Sequence, residues 1–273
     1  MTGGLWRRRR RGVTLVELLV VTAVIGVLAG LAIPIVASVT AAGEQASEVS
    51  AARTLIKAYH GYAADHGGRL MPGYGRFPAA DEEGNPIGFP ASGRYPWRLA
   101  PYFDYDFRAI YVNSSRQRLA AMGPDNSYGL SVSPSLGMNT GFVGGDYEHL
   151  HPQGLGAHYG PFCVTRLVQA HQPSRLIVFA SARSDAGGEQ VEGYYRITPP
   201  NMTRRQWRER FDESAPASSF GFVHPRHDGR AVAAMLDGHV ESLDSGQLQD
   251  MRRWANPAAL ADDPDWRLGQ PAK

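Results

Sequence analysis

The chain has 273 residues, of which 43% are hydrophobic and 20% are charged, and this composition excludes an intrinsically disordered protein. The net charge of +2 is unevenly distributed, because residues 7–11 are all arginine and residues 1–12 contain no acid. The remaining residues carry 23 basic and 26 acidic side chains, a net charge of −3. A globally basic surface that attracts nucleic acid is therefore excluded, and no nucleic-acid partner is expected.

The longest apolar run lies near the N terminus, between Val13 and Val36, and contains one charged residue, Glu17. A helix of this length rises about 36 Å at ~1.5 Å per residue, which is enough to cross a hydrocarbon core of about 30 Å. The arginines before the run predict that residues 1–12 lie in the cytoplasm and that the bulk of the chain lies outside it.

Two other interpretations of this segment are open. A secretory signal peptide also begins with basic residues, but its apolar region usually has only ~7–15 residues. A plain membrane anchor requires apolarity alone and gives no reason for Glu17, since a carboxylate in a spanning helix costs roughly 2.5–3.5 kcal/mol. The carboxylate of Glu17 within an apolar helix therefore indicates a functional role and an oppositely charged partner.

The residues at the start of the run, Arg11-Gly12-Val13-Thr14-Leu15-Val16-Glu17, resemble the prepilin cleavage and methylation motif of type IV pilins and type II secretion pseudopilins. The resemblance implies that a prepilin peptidase cuts between Gly12 and Val13. It also implies N-methylation of Val13, at a position where the family more often has Phe. Glu17 would then neutralise the new ammonium group on the same or a neighbouring subunit during assembly, because buried charges persist only when paired.

This resemblance implies a structural subunit of a type IV pilus or of a type II secretion pseudopilus. The expected partners are the prepilin peptidase, other pilin or pseudopilin subunits and the inner membrane, and no cofactor is expected. Before assembly the chain would cross the inner membrane once, with its N terminus in the cytoplasm and its head outside. After assembly it would be part of a periplasmic or cell-surface filament.

The apolar pattern continues with helical spacing beyond residue 36, at Val49, Ala52, Ile56, Tyr59 and Ala63. Four charged residues are assigned to the polar faces of this helix: Glu44, Glu48, Arg53 and Lys57. The pair Gly67-Gly68 predicts the end of the helix.

These features predict an α+β fold, in which a long N-terminal helix packs on a C-terminal globular head with an antiparallel β-sheet and long loops. The predicted divisions are a leader at 1–12, a transmembrane or filament-core helix at 13–36, its amphipathic continuation at 37–67, the head at 68–255 and a tail at 256–273. Short strands are predicted in the head at 110–113, 128–132, 167–170, 175–181 and 194–197.

The head also contains a local basic patch, formed by Arg204, Arg205, Arg208 and Arg210 around Trp207. Because Glu209 and Asp212 lie among these arginines, the segment 204–210 is interpreted as the solvated face of a short helix. The patch therefore does not by itself predict a binding site.

The clearest pattern in the head is Asp237-Gly238 between two apolar runs, which predicts a β-hairpin with a two-residue type I′ turn. In that register Val232 lies opposite Leu243. The spacing of His227, nine residues and Asp237-Gly238 resembles the H-x9-DG motif of processing-associated prepilin-like proteins, and the hairpin occupies residues 227–243.

Several side chains have the residue types of ligands or nucleophiles. The group His224, His227, Asp228, Asp237 and His239 suits zinc, but backbone and hairpin roles are the preferred interpretation, and no metal is expected. The run 81–83, Asp-Glu-Glu, is interpreted as a solvated turn rather than a calcium loop. The single cysteine, Cys163, excludes an internal disulfide and is interpreted as a small buried residue.

The sequence contains no nucleophile elbow, zinc-protease motif, Walker A motif or dinucleotide-binding motif, so no enzyme is predicted and no catalytic residue is assigned. The main alternative function is a membrane-tethered extracytoplasmic carbohydrate-binding module, and a tethered hydrolase is a weaker alternative. The aromatic residues that could serve such a module are Tyr74, Tyr95, Trp97, Tyr102 and Tyr105.

Overall fold

A computed structural model of the protein describes residues 14–123, 126–146 and 154–270, with the backbone alone at 29–35 and 37. The chain divides into two compact units, one ending at Gly43 and the other beginning at Glu44. Helix α1 (Leu15–Asp65) contributes residues to both. The shorter helices described are α2 (Tyr95–Leu99), α3 (Ser114–Ala121), α4 (Gly129–Val132), α5 (Leu155–Tyr159), α6 (Ser245–Leu248) and α7 (Asn256–Leu260).

The second unit contains a five-stranded sheet and a separate pair of strands. The strands are β1 (Leu136–Asn139), β2 (Ile177–Ser181), β3 (Arg183–Ala186), β4 (Glu189–Glu192), β5 (Arg196–Ile197), β6 (Arg230–Met235) and β7 (Val240–Asp244). The sheet order is β5-β1-β2-β6-β7, and β3 pairs with β4. The predicted α+β class is confirmed.

The sheet is mixed rather than wholly antiparallel, because β5 runs parallel to β1 while the other neighbours are antiparallel. A tight turn reverses the direction of a strand, whereas a parallel neighbour needs a long connection. The connection from β1 to β5 contains β2 and the β3–β4 pair, and it returns the chain to the edge of β1 in the original direction.

The two faces of the sheet pack against two different hydrophobic clusters, because side chains alternate between the faces of a strand. On β6, Val232 and Ala234 belong to the cluster that contains α1, whereas Ala233 and Met235 belong to the other. This second cluster contains Trp254, which is fully buried and donates its indole N–H to a backbone carbonyl. The sheet therefore has α1 on one side and the Trp254 layer on the other.

Residues 44–65 of α1 bury a stripe of side chains against the sheet, and all five predicted apolar positions lie in it, with Val49 half-buried. Helix α1 ends where the glycine pair predicts. Gly67 and Gly68 have φ values of 63° and 78°, and the Gly68 N–H donates to the Ala63 carbonyl at 2.7 Å. The assignment of Glu48 to a polar face is wrong, because this residue is fully buried.

Three of the predicted strands are wrong, because residues 110–113 form an irregular turn, 128–132 include α4 and 167–170 include a 3-10 helix. The first of these segments is apolar because it passes through the core, whereas Val168 in the third is 90% exposed. Ile110 and Tyr111 are fully buried, and the Tyr111 hydroxyl donates to the Leu130 carbonyl at 3.0 Å. Apolar runs of this length do not distinguish a buried loop from a strand. The predictions at 175–181 and 194–197 correspond to β2 and β5.

The helix predicted at 204–210 is also wrong, because this segment is an irregular loop. Trp207 is buried in the second cluster, and its indole N–H donates to the Thr198 carbonyl at 3.0 Å. One buried side chain within an otherwise charged segment can anchor a loop as well as a helix.

The hairpin is confirmed as β6 and β7, but its register differs by one residue, since Val232 lies opposite Ser242 rather than Leu243. A type I′ turn requires a positive φ at both central residues. Gly238 has a φ of 101°, whereas Asp237 does not have a positive φ. The loop therefore has three residues, with glycine at the position that requires a positive φ.

The replacement Gly238→Ala is expected to lower the free energy of unfolding by about 1–2 kcal/mol, because an L-residue is strained at a φ of 101°. Its Cβ would also lie 3.4 Å from the His60 ring. Urea denaturation of the detergent-solubilised protein measures the change. The matched control is Gly88→Ala, at an exposed glycine without a positive φ; an equal loss in the two variants would contradict the strain.

Candidate functional site

The first candidate site is the start of α1. The predicted cleavage residues Gly12 and Val13 lie outside the described residues. Glu17 lies in the first helical turn, where its Oε2 accepts hydrogen bonds from the Thr14 backbone N–H at 2.8 Å and from the Thr14 hydroxyl at 2.9 Å. The Thr14 hydroxyl accepts in return from the Glu17 N–H at 3.2 Å.

These reciprocal bonds form a capping box, in which two side chains satisfy backbone N–H groups that the first helical turn leaves unpaired. The spacing of Thr14 and Glu17 is the usual sequence signal for such a box. The sequence could therefore have predicted it. Glu17 therefore caps the start of α1, close to the predicted cleavage site. This role is in addition to its predicted neutralisation of the Val13 ammonium group.

The first turns of α1 expose an unusual number of large apolar side chains. All of the leucine, isoleucine and valine residues between 15 and 28 are more than half exposed. Contiguous apolar surface of this kind indicates an interaction site rather than a surface meant for water. Within the described residues, none of the helices is both long enough and apolar enough to cross a membrane.

The second candidate site joins α1 to the predicted H-x9-DG hairpin through the buried carboxylate of Glu48. Arg226 binds this carboxylate with two hydrogen bonds, from Nε to Oε2 at 2.9 Å and from Nη2 to Oε1 at 2.7 Å. His227 donates from Nε2 to Oε2 at 2.6 Å. We call Glu48, Arg226 and His227 the carboxylate clamp. Its side chains are 0%, 8% and 7% exposed, so the pairing occurs almost without water.

Arg226 also connects the clamp to two strands of the sheet. Its Nη2 donates to the Ser135 carbonyl at 3.0 Å, just before β1, and its Nη1 donates to the Ala182 carbonyl at 2.9 Å, just after β2. The planar guanidinium group can serve several acceptors at once because its five N–H groups point in fixed directions. One side chain therefore fixes α1 relative to both strands.

A second histidine extends this network to the surface. The Nδ1 atom of His224 accepts from Arg226 Nη1 at 3.2 Å, because a guanidinium group has only donors. The remaining ring proton lies on Nε2 and is donated to Glu213 Oε1 at 3.0 Å. Glu213 also lies 3.6 Å from the buried guanidinium group of Arg183. The clamp is thus the inner end of a continuous polar network.

Burial and charge determine the protonation states in this network. Burial opposes ionisation of Glu48, but the Arg226 charge and the hydrogen bonds from His227 and Ser181 outweigh it, and the pKa of Glu48 is lowered. Burial, and then the Arg226 charge, lower the pKa of His224 to about 4, although Glu213 opposes this change. Near neutral pH Glu48 is therefore charged and His224 is neutral.

The two ends of the predicted motif both contact α1. At one end His227 binds Glu48, and at the other the Leu236 carbonyl lies 2.8 Å from His60 Nε2, beside Gly238. Asp237 stays outside this contact and accepts hydrogen bonds from His239. The motif residues thus hold the hairpin against the helix at two points.

The type I′ turn expected at Asp237-Gly238 occurs instead at Asp228-Gly229. These two residues have φ values of 52° and 73°. The N–H groups of His227 and Arg230 each donate to the carbonyl of the other at 3.0 Å. This turn orients His227 toward the helix while the chain reverses into β6.

The structure does not assemble the metal ligands considered from the sequence. His224, His227 and His239 bind three different carboxylates, of Glu213, Glu48 and Asp237. In the described part of the chain, no group of three or more histidine, cysteine or acidic residues is arranged to hold a metal ion.

The aromatic residues considered for carbohydrate binding do not form an exposed platform. Tyr95 and Trp97 are buried in the hydrophobic cluster that contains α1. The other three, Tyr74, Tyr102 and Tyr105, are half-buried against it. Cys163 is half-buried and donates to the Gly141 carbonyl at 3.0 Å; burial, and then the Asp146 charge, raise the pKa of its thiol to about 12. These side chains serve packing rather than an evident reaction.

Comparison with known families gives a match at the N terminus. Residues 7–33 match the family model of the prokaryotic N-terminal methylation motif. Comparisons of the chain with curated proteins and with solved structures gave no match. The matched residues include Gly12, Val13 and Glu17, and the match supports a prepilin-like N terminus that is a substrate of prepilin peptidase. The resemblance of residues 227–238 to the H-x9-DG motif is outside this match and stays a prediction.

The variant Arg226→Met is expected to lower the free energy of unfolding by about 3–5 kcal/mol, because it leaves the Glu48 carboxylate buried without its counter-charge. Replacing both partners, with Glu48→Leu and Arg226→Met, is expected to cost less than Arg226→Met alone. Urea denaturation of the detergent-solubilised chain measures these changes. The control Arg208→Met breaks an exposed pair with Asp212 and should cost about 0–1 kcal/mol; a similar cost for Arg226→Met would refute the clamp.

Acid is expected to destabilise the protein through His224. Between pH 6.5, the usual pKa of a histidine, and about 4, the unfolded chain binds a proton that the folded chain does not. Stability therefore falls with decreasing pH across this window, by on the order of 3 kcal/mol. The lowered pKa of Glu48 adds a further loss below its ordinary value of 4.5. Urea unfolding midpoints at pH 7 and pH 4.5 measure how much stability is lost on acidification. The variant His224→Gln should lose less stability over this range. An equal loss in the variant would show that His224 is not responsible.

Proposed function

We propose that this chain is a prepilin-like structural subunit that is cut after Gly12, methylated at Val13 and assembled into a type IV pilus or a type II secretion pseudopilus. The match of residues 7–33 to the N-terminal methylation motif carries the proposal. The exposed apolar residues at the start of α1 support it, since an assembling helix needs such a surface. The proposed role is structural rather than enzymatic.

Before cleavage the proposed precursor is held in the inner membrane by residues 13–36, with its basic leader in the cytoplasm and its head outside. After cleavage it leaves the membrane for a periplasmic or cell-surface filament. Its partners are the prepilin peptidase during processing and other pilin or pseudopilin subunits during assembly.

Glu17 has two roles in this proposal. In the single chain its carboxylate caps the helix through Thr14. During assembly the same carboxylate neutralises the ammonium group of Val13 on the same or a neighbouring subunit, which sets the axial register of the helices. A buried ammonium group requires such a partner, because an unpaired charge is costly in an apolar environment.

The head takes part as a rigid body attached to residues 44–65 of α1. In the proposed filament the subunits are joined through their N-terminal helices. Residues 44–65 of α1 must therefore stay attached to the sheet of the head when the helices are pulled into place. The carboxylate clamp and the contact of His60 with the Leu236 carbonyl supply two attachment points.

The experiment that tests the proposal compares wild type with Gly12→Ala, Glu17→Ala and Glu17→Gln in a host that has a prepilin peptidase and an assembly machine. Precursor size and intact mass report processing, and protein recovered from sheared filaments reports assembly. Gly12→Ala is expected to leave the leader attached, and Glu17→Ala is expected to be cut but not assembled. Normal processing of Gly12→Ala would refute the cleavage site.

Glu17→Gln separates the two roles of this residue. Glutamine at this position preserves a capping box but removes the charge. If neutralisation of the ammonium group is required, the variant is processed but is not recovered in filaments. Assembly at the wild-type level would show that capping alone suffices and would remove the proposed charge pairing.

A further inference from the structure

A loop over the second hydrophobic cluster carries arginine side chains on a rigid base. Its anchor is Trp207, whose ring packs on Phe220 with centroids 4.2 Å apart and whose indole N–H donates to the Thr198 carbonyl. The Gln206 N–H donates to the Pro200 carbonyl at 2.7 Å. Both the Trp207 anchor and the adjoining backbone are therefore held in place, and the exposed side chains extend from this base.

Two arginines of this loop are available to a partner. Arg208 pairs with Asp212 at 3.4 Å, and Arg205 binds the side chain of Gln249. Arg204 and Arg210 are exposed, and no carboxylate among the described residues lies within ion-pair distance of either. Two guanidinium groups on a rigid loop suit an anionic partner surface.

A turn on the other side of the molecule has the opposite charge. Its shape is fixed by Asp81, whose carboxylate accepts from the Asn85 N–H at 2.7 Å and from the Asn85 side-chain amide at 3.0 Å. At the base of the turn the Ile87 N–H donates to the Ala79 carbonyl at 2.8 Å. Hydrogen bonds of both the backbone and the Asp81 side chain therefore hold the turn.

Glu82 and Glu83 are exposed on this turn and border a cleft of about 680 Å³ that is also lined by Trp97 and Tyr105. Burial, followed by the charges of these acids and of Asp81, raises the pKa of Tyr105. Exposed carboxylates at the rim of a cleft suit guanidinium groups, which bind carboxylates through paired hydrogen bonds.

The two charged patches lie over opposite faces of the sheet. The acidic turn borders the cluster that contains α1, and the arginine loop is anchored in the cluster that contains Trp254. A contact between different patches of two copies is heterologous, and it can repeat in the same sense from one copy to the next. When such a contact does not close into a ring, it produces an open filament.

We infer that the loop bearing Arg204 and Arg210 of one copy docks on the turn bearing Glu82 and Glu83 of the next copy. This contact rests on the proposed function, because it operates between heads whose N-terminal helices already hold them together. A second copy is the partner because the chain itself carries the complementary surface. Exposed charges of this kind set orientation and register more than affinity.

Charge reversal tests this contact. The loop variant carries Arg204→Glu and Arg210→Glu, and the turn variant carries Glu82→Lys and Glu83→Lys. Each variant alone is expected to lower the yield of sheared filaments at least about tenfold, because like charges then meet at every contact. Coexpression of the two variants is expected to restore the yield, because copies that alternate place opposite charges at both contacts. One chain with all four substitutions should also assemble.

The control for the loop variant carries Arg53→Glu and Lys57→Glu, which make the same change of net charge as the loop variant but on the exposed face of α1, and it should assemble like wild type. An equal loss in this control would show that net charge, not a docking contact, is responsible. Loss in both patch variants without rescue by coexpression would overturn the contact. Loss in the loop variant alone would indicate a foreign polyanion, such as an acidic polysaccharide, and would also overturn it.

Processing of the precursor distinguishes this inference from the proposed function. Removal of residues 1–12 is measured in the same cells by size and mass. If wild type is neither cut nor recovered in filaments, the proposed function fails. If wild type is cut and assembled while every reversed variant assembles equally well, the docking contact fails and the proposed function stands.

Discussion

The architecture of the head depends on the ion pair between the carboxylate of Glu48 and the guanidinium group of Arg226. A carboxylate inside a core requires a partner with nearly complete hydrogen bonding. Arg226 meets this requirement together with His227, and it also binds carbonyl groups beside β1 and β2. The position of one charge on α1 thereby determines where the helix meets the sheet and where the chain enters β6.

The sequence predicts those parts of the fold that follow from local chemistry. Helix α1, its end at Gly67 and the hairpin of β6 and β7 are encoded by spacing and by glycine. The register of the hairpin differs from the prediction because its loop has three residues, of which Leu236 and Asp237 donate their backbone N–H groups to carbonyls outside the hairpin. The apolar loop around Ile110 and the charged loop around Trp207 differ from the predicted strand and helix because tertiary contacts bury Ile110 and Trp207.

The candidate sites also differ in how far local sequence predicts them. The roles of Glu17 and of the predicted cleavage residues rest on a contiguous motif that a family model also matches. His227 was identified by resemblance, but its partner was missed, because Glu48 lies 179 positions away and was assigned to a polar face. A signal was present, since Glu48 lies three and four residues before the buried Ala51 and Ala52, on the same side of the helix. A single acidic residue within an apolar stripe of a helix indicates a buried carboxylate with a distant cationic partner.

The distance along the chain between the clamp residues has a consequence for biosynthesis. Arg226 follows Glu48 by 178 positions, and β6, which it precedes, pairs with β2 in the middle of the sheet. While the chain is translated from its N terminus, α1 is made long before its counter-charge exists. A nascent or truncated chain that ends before Arg226 exposes the helix stripe with an unpaired acid in it. Formation of the C-terminal hairpin is thus the step that closes the core around the Glu48 carboxylate.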